Sequence, residues 1–186
     1  MNKKDIKRSK FLSMVLRHKP ETVGLTLDPN GWVEVRRLLS ACAKKGVIIS
    51  PECLEWIVET NDKKRFAFNE DRTKIRASQG HSVAVNLLLE PVEPPEFLYH
   101  GTAVHFLSSI QQQGLRKGKR QHVHLSGDQA TAVQVGRRHG EPVVLKVLAK
   151  KMTENGYLFY VSANGVWLTD HVPAVYLLQE KITETP

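Results

Sequence analysis

Glu90-Pro91-Val92-Glu93-Pro94-Pro95-Glu96 divides this chain in two. Its three prolines remove backbone donors and fix φ, which denies helix and ladder hydrogen bonds, and its three glutamates favour water. The stretch reads as an exposed linker over residues 91–96, with one lobe over 1–90 and another over 97–186. A chain of 186 residues is long enough for two small domains with a core each.

Upstream of the linker, Phe11, Leu12, Val15 and Leu16 recur at helical spacing and Pro20 stops the run, so Arg17 and His18 fall at a helix C-terminus, an end that attracts cations. A second helix is expected over Val35 to Lys45 with Gly46 as its stop, and a third begins with Ser50 as N-cap and Pro51 in first position. Arg65-Phe66-Ala67-Phe68, the polar turn Asn69-Glu70-Asp71 and Lys74-Ile75-Arg76-Ala77 then read as a β-hairpin. Three helices followed by a hairpin suggest a winged helix, a module often used on nucleic acids.

Downstream the texture changes to short apolar runs at Phe97 to Tyr99, Val123 to Leu125, Val143 to Val147, Val166 to Leu168 and Ala174 to Leu178, all read as strands. Helices are expected over Val104 to Gln113, stopped by Gly114, and over Asp128 to Arg138, stopped near Gly140. The fold class expected is α+β, the second lobe carrying a mostly antiparallel sheet.

The net charge of +8 is uneven: residues 1–90 hold 17 Lys and Arg against 11 Asp and Glu, and 91–186 hold 10 against 8. The basic first lobe suits a phosphate backbone, although a merely solvated basic surface has the same composition. Cys42 and Cys53 form no C-x-x-C pair, which supports neither a disulfide scaffold nor a zinc ribbon and fits a reducing cytoplasm. The apolar stretch Phe11 to Leu16 is short and runs straight into Arg17, which is wrong for a signal or membrane segment.

Five clusters rich in His and Arg carry the chemistry: Leu16-Arg17-His18, Lys64-Arg65-Phe66, Arg76 to Ser82, Tyr99-His100-Gly101-Thr102 and Arg120 to Ser126. Guanidinium offers phosphate a fixed fork of donors, and imidazole moves a proton near neutral pH. Taken singly, each has a plainer explanation. Arg17-His18 also looks like a dipole-compensating helix end, and Gln79-Gly80-His81-Ser82 like a polar turn after a strand. His100-Gly101-Thr102 sits between a strand and a helix, where backbone donors and a hydroxyl can meet an anion, yet it lacks the flanks of a P-loop. His122 and His124 share a face by alternation, but no third ligand completes a metal site, and none is expected.

Together and in this order the clusters closely resemble the RNA 2′-phosphotransferase family. The matching elements are Ser9 to Ser13 with Leu16-Arg17-His18, Gly31-Trp32, Lys63 to Phe66, Ile75-Arg76-Ala77 with Gln79 to Ser82, Tyr99 to Thr102, His122 to Ser126 and Asn164 to Thr169. They extend from residue 9 to about 173. The resemblance implies an N-terminal winged-helix lobe and a C-terminal lobe similar to ADP-ribosyltransferases, with the reaction in the cleft between them. It implies NAD as co-substrate without a metal, and a catalytic set of Arg17, His18, Arg65 and Arg120. The RNA 2′-phosphate would attack the nicotinamide ribose, releasing nicotinamide. The ribose 2″-hydroxyl would then displace RNA with a free 2′-OH and leave ADP-ribose 1″,2″-cyclic phosphate.

By the same resemblance His100, Gly101, Thr102 and Ser126 hold NAD. His139 is a further cofactor contact or a helix C-terminal cap. Arg76, Gln79, His81 and Ser82 orient the RNA phosphate or brace the cleft. The expected partner is RNA bearing a 2′-phosphate, a tRNA splice junction being the eukaryotic role of the family, and the protein is expected to be a cytoplasmic monomer. Two other readings fit the residues: a binding module for nucleic acid and NAD without turnover, and an ADP-ribosyltransferase acting on nucleic-acid terminal phosphates.

Overall fold

The structure, a computed structural model, describes residues 2–180; Met1 and the last six residues of the expected second lobe lie outside the described residues. The chain forms two compact units, Met1–Leu88 and Leu89–Pro186, and its fold is α+β, with every strand pair of the described residues antiparallel.

In the first unit, helix α1 (Lys3–Arg17) buries Leu12, Val15 and Leu16 completely. A short 3-10 turn at Pro20–Val23 leads to strand β1 (Val33–Glu34), helices α2 (Val35–Lys44) and α3 (Pro51–Glu59), and the hairpin β2 (Phe66–Phe68) and β3 (Lys74–Ala77). Ser50 Oγ accepts from Cys53 N–H at 3.2 Å, which caps α3 as its Ser-Pro start requires. The sheet has the order β1-β3-β2, the short β1 being absent from the sequence reading. Leu12, Leu16, Leu38, Leu54, Ile57 and Ile75 form one core.

The second unit contains β4 (Leu98–Ala103), α4 (Leu107–Gln113), β5 (Leu115–Arg116), β6 (Val123–Leu125), α5 (Gln129–Gly136), β7 (Pro142–Val147) and α6 (Ala149–Glu154). These are followed by β8 (Phe159–Val161), β9 (Trp167–Thr169), β10 (His171–Val172) and β11 (Leu177–Glu180). Two three-stranded sheets, β11-β7-β4 and β6-β9-β8, join through the bridge between Tyr99 and Ser126.

Several expectations need correction. His100-Gly101-Thr102 does not lie between strand and helix: it is inside β4, which pairs with β7 from Leu98↔Val147 to Ala103↔Pro142. Tyr99 turns its N–H and O to Ser126, so by alternation the backbone groups of His100 and Thr102 face β7 and their side chains carry whatever chemistry they have. The helix expected over Val104 to Gln113 begins as a 3-10 turn at Val104–Phe106, and the strand expected over Ala174 to Leu178 starts only at Leu177, after a 3-10 turn at Ala174–Tyr176. The proline-rich stretch lacks regular structure but is not wholly exposed: Pro94 is buried and Val92 N–H donates to Phe159 O at 2.8 Å.

Candidate functional site

The first unit gathers Arg17, His18, Arg65, Arg76, His81 and Ser82. Arg17 ends α1 and His18 is its C-cap, its N–H donating to Met14 O at 3.0 Å. The returning segment after β3 is stitched onto this end: Ser82 N–H donates to Arg17 O at 2.8 Å and Ser82 Oγ lies 3.0 Å from His18 Nδ1, which sets the rotation of the imidazole. Gly80 lies against Arg17 and has φ +85°, a backbone state that favours glycine. Arg17 Nη2 in turn donates to Arg65 O at 3.4 Å.

Arg65 is placed by a device that the sequence reading missed. Asn61, 3% exposed, accepts from Arg65 Nη1 at 3.4 Å and from Lys63 N–H at 3.0 Å, and donates through Nδ2 to buried Ser9 Oγ at 3.1 Å. Lys64, directly before Arg65, has φ +40°, a backbone state that a side chain disfavours and that the surrounding bonds must hold. Ser78 closes the turn, its N–H donating to Arg65 O and its Oγ to Lys64 O.

His81 is 1% exposed, and both its ring nitrogens are buried without a hydrogen-bond partner. Burial, then the positive charges of Arg17, His18 and Arg76, push its pKa down to about 4, so it is neutral at pH 7. The buried neutral ring packs beneath Arg17, His18 and Arg76. Arg76 stacks its guanidinium 4.4 Å from the Trp32 ring centroid and donates to Asn30 O at 3.3 Å, with burial holding its pKa below the usual value. Gln79 is half-buried on the same returning segment.

The second unit places His100 and Thr102 on one face of β4 and Gly101 on the other. His100 Nδ1 lies 3.0 Å from His124 O; a carbonyl only accepts, so the proton sits on Nδ1 and Nε2 keeps its lone pair. Desolvation first, and the charges of His139 and Arg120 after it, lower the His100 pKa against the raising effect of that carbonyl. Arg120 donates through Nη1 to His124 Nδ1 at 3.3 Å. His100 and buried Thr102 line a cavity of about 220 Å³ with Phe106, Ser109, Ile110, Gln113, Gly114, Leu115 and Arg116.

His139 lies beyond the end of α5, not in that lining, with its ring 6.4 Å edge-on from Phe106. Ser126 exchanges both backbone bonds with Tyr99. At Gly101 a Cβ would lie 1.7 Å from Ala132 O and 2.9 Å from Gly136 N, so its bareness lets α5 cross β4. His122 lies just before β6 with its ring 5.7 Å from that of Tyr160, which shares a row with His124 across β9. Among the described residues, no group of three or more His, Cys, Asp or Glu is placed to hold a metal ion.

The family model described as RNA 2'-phosphotransferase, Tpt1 / KptA family matches residues 3–171. A "Probable RNA 2'-phosphotransferase" of Flavobacterium johnsoniae is 58% identical over 169 residues, covering 91% of this chain and 93% of the relative. Proteins of the same description from Hahella chejuensis and Pectobacterium carotovorum are 54% and 53% identical, covering 95% of both chains in each case. The chain belongs to the RNA 2′-phosphotransferase, Tpt1 / KptA family.

Proposed function

We propose that this protein is an NAD-dependent RNA 2′-phosphotransferase that removes an internal 2′-phosphate from RNA. The observation that carries the reading is the junction of Arg17, His18, Arg65 and Ser82 at the end of α1, inside a chain of this family. The three helices and β1-β3-β2 sheet of the first unit support a winged-helix RNA lobe. The antiparallel second unit supports an ADP-ribosyltransferase-like lobe that holds NAD.

NAD supplies the ribose carbon and the 2″-hydroxyl on which the phosphate is transferred. The residues fit such a co-substrate: His100 Nε2 offers an acceptor to a ribose hydroxyl, Thr102 a second hydroxyl, and Phe106 an aromatic wall in a cavity sized for one ring. Ser126 and His139 flank them.

Arg17 and Arg65 grip the 2′-phosphate of the RNA, and Arg120 is the further arginine we propose for the catalytic set. That phosphate is already an anion, so its attack needs positioning and charge screening rather than a base. A phosphate oxygen bonds to the ribose carbon and nicotinamide departs with the bond pair, leaving ADP-ribosylated RNA phosphate. In the second step the 2″-oxygen bonds to phosphorus and the RNA 2′-oxygen leaves. His18 moves the proton from the attacking hydroxyl to the leaving oxygen, a role worth roughly 100- to 10,000-fold in rate. Arg76, Gln79 and His81 brace this cation set, and Ser82 orients His18.

Among the described residues no helix is long and apolar enough to cross a membrane. The free Cys42 and Cys53 suit a reducing compartment; we propose a cytoplasmic monomer acting on a tRNA.

Incubating the protein with NAD and an internally 2′-phosphorylated RNA should yield free 2′-OH, nicotinamide and ADP-ribose 1″,2″-cyclic phosphate, and His18→Ala should accumulate the ADP-ribosylated intermediate. Dephosphorylation at full rate without NAD refutes the reading. Absence of nicotinamide release would leave a binding module, and a stable ADP-ribosylated terminal phosphate an ADP-ribosyltransferase.

A further inference from the structure

Helix α1 carries six basic residues and one acid, and the two signs are segregated. Asp5, the acid, is buried and paired with Arg8 at 3.4 Å. Lys3, Lys7, Lys10 and Arg17 are spaced four, three and seven residues apart, with Met14 between the last two, so they fall in one stripe along the helix. The three lysines are exposed and, among the described residues, enter no ion pair. From Lys3 to Arg17 the stripe runs about 21 Å.

Helix stability does not explain these lysines. The positive end of the macrodipole is at the N-terminus, where acids stabilise and cations do not, yet Lys3, Lys4, Lys7 and Arg8 fill the first two turns. Lys3 and Lys7 are also like charges at i,i+4, which repel on a helix. A polyanion laid along the stripe reverses both effects. Beside its start, Lys4, Lys7, Arg8, Phe11, Val47 and Ile48 line a mainly apolar groove of about 480 Å³, and Ile48 is 72% exposed. Cations above an apolar and aromatic floor suit an unpaired nucleotide, phosphate on the rim and base in the groove.

We propose that the Lys3-Lys7-Lys10 face of α1 is a track for the phosphodiester backbone of single-stranded RNA, leading from the Phe11–Ile48 groove to Arg17. The proposal rests on the RNA 2′-phosphotransferase reading above and adds where the RNA flanking the modified nucleotide lies.

The test compares the full-length protein with K3Q/K7Q/K10Q, and with K150Q/K151Q as a control on exposed α6. Binding of a single-stranded 2′-phosphorylated RNA is measured against salt, and turnover is measured on that RNA and on a 2′-phosphorylated dinucleotide too short to extend from Arg17 along the three lysines. Three lost phosphate contacts on a single strand lower the slope of log affinity against log salt by about 2, so from 50 to 200 mM salt the parent should lose roughly 20-fold more affinity than the triple variant. KM for the long RNA should rise in the variant at low salt, with dinucleotide turnover and the control unchanged. An unchanged salt slope, or dinucleotide turnover that falls as far as turnover of the long RNA, overturns the proposal. So does loss of binding to phosphatidylserine vesicles with RNA binding intact, which would give the stripe to a membrane surface. If no variant or parent transfers the phosphate, the activity reading fails, while the RNA salt slope still decides the track.

Discussion

Lowering the pH from 7 to 5 should weaken the first unit through one residue, His81. Its pKa is about 4 in the folded chain against 6.5 for an unperturbed histidine, because the ring is buried and faces Arg17, His18 and Arg76. The unfolded chain therefore binds the proton first: the stabilisation is fully present above pH 6.5 and is lost as pH falls toward 4. Integrating over that window gives a loss of about 2 kcal/mol between pH 7 and pH 5 and about 3 kcal/mol by pH 4. His81→Leu removes the titrating group, and because neither ring nitrogen has a hydrogen-bond partner it leaves none unsatisfied. The swap nearly conserves volume, so it should change stability at pH 7 by less than about 1.5 kcal/mol. Urea unfolding at pH 7, 6 and 5 is followed by fluorescence in a Trp167→Phe background, where Trp32 and Trp56, both in the first unit, are the reporters. The stability of the parent relative to His81→Leu should fall by about 2 kcal/mol as pH falls from 7 to 5. Equal steepness in the two proteins would show that His81 is not held neutral by its surroundings.

Two further outcomes follow from the packing. Gly101→Ala drives a Cβ into the Ala132 carbonyl at 1.7 Å, a backbone obstacle that cannot rotate away; destabilisation of about 3 kcal/mol should lower the melting temperature of the second unit by roughly 12–24 °C, and a shift within about 4 °C would refute the crossing of α5 as the reason for this glycine. Asn61→Ala removes the Asn61 bonds to Arg65 Nη1 and Ser9 Oγ together; it should cost about 1–3 kcal/mol and lower kcat/KM for 2′-phosphorylated RNA while leaving KM for NAD in place, whereas a stability loss with unchanged RNA turnover would make Asn61 purely structural.

What could be read from the sequence was whatever local chemistry determines. Apolar spacing and Pro20 mark α1, the Ser50-Pro51 start marks α3, and a polar turn between alternating runs marks the hairpin, since caps and periodicity act within a few residues. Helix α6 escaped because six residues with only Ala149 and Met152 buried display no period. His100-Gly101-Thr102 read locally as the junction between a strand and a helix because a glycine carries little strand signal; pairing with Val143 to Leu145, more than forty residues away, overrides that local preference.

The side-chain types of the candidate site were legible in the same local sense, and their supports were not. Asn61 meets Ser9 across 52 residues of chain, and Ser82 meets His18 across 64. No local pattern encodes either contact, yet together they determine where Arg65 and His18 point. Asn61 and Ser82 thus help to orient these cations from positions distant in sequence, and each suits an anion site: an amide or a hydroxyl orients a cation without neutralising it, whereas a carboxylate in the same place would compete with the phosphate.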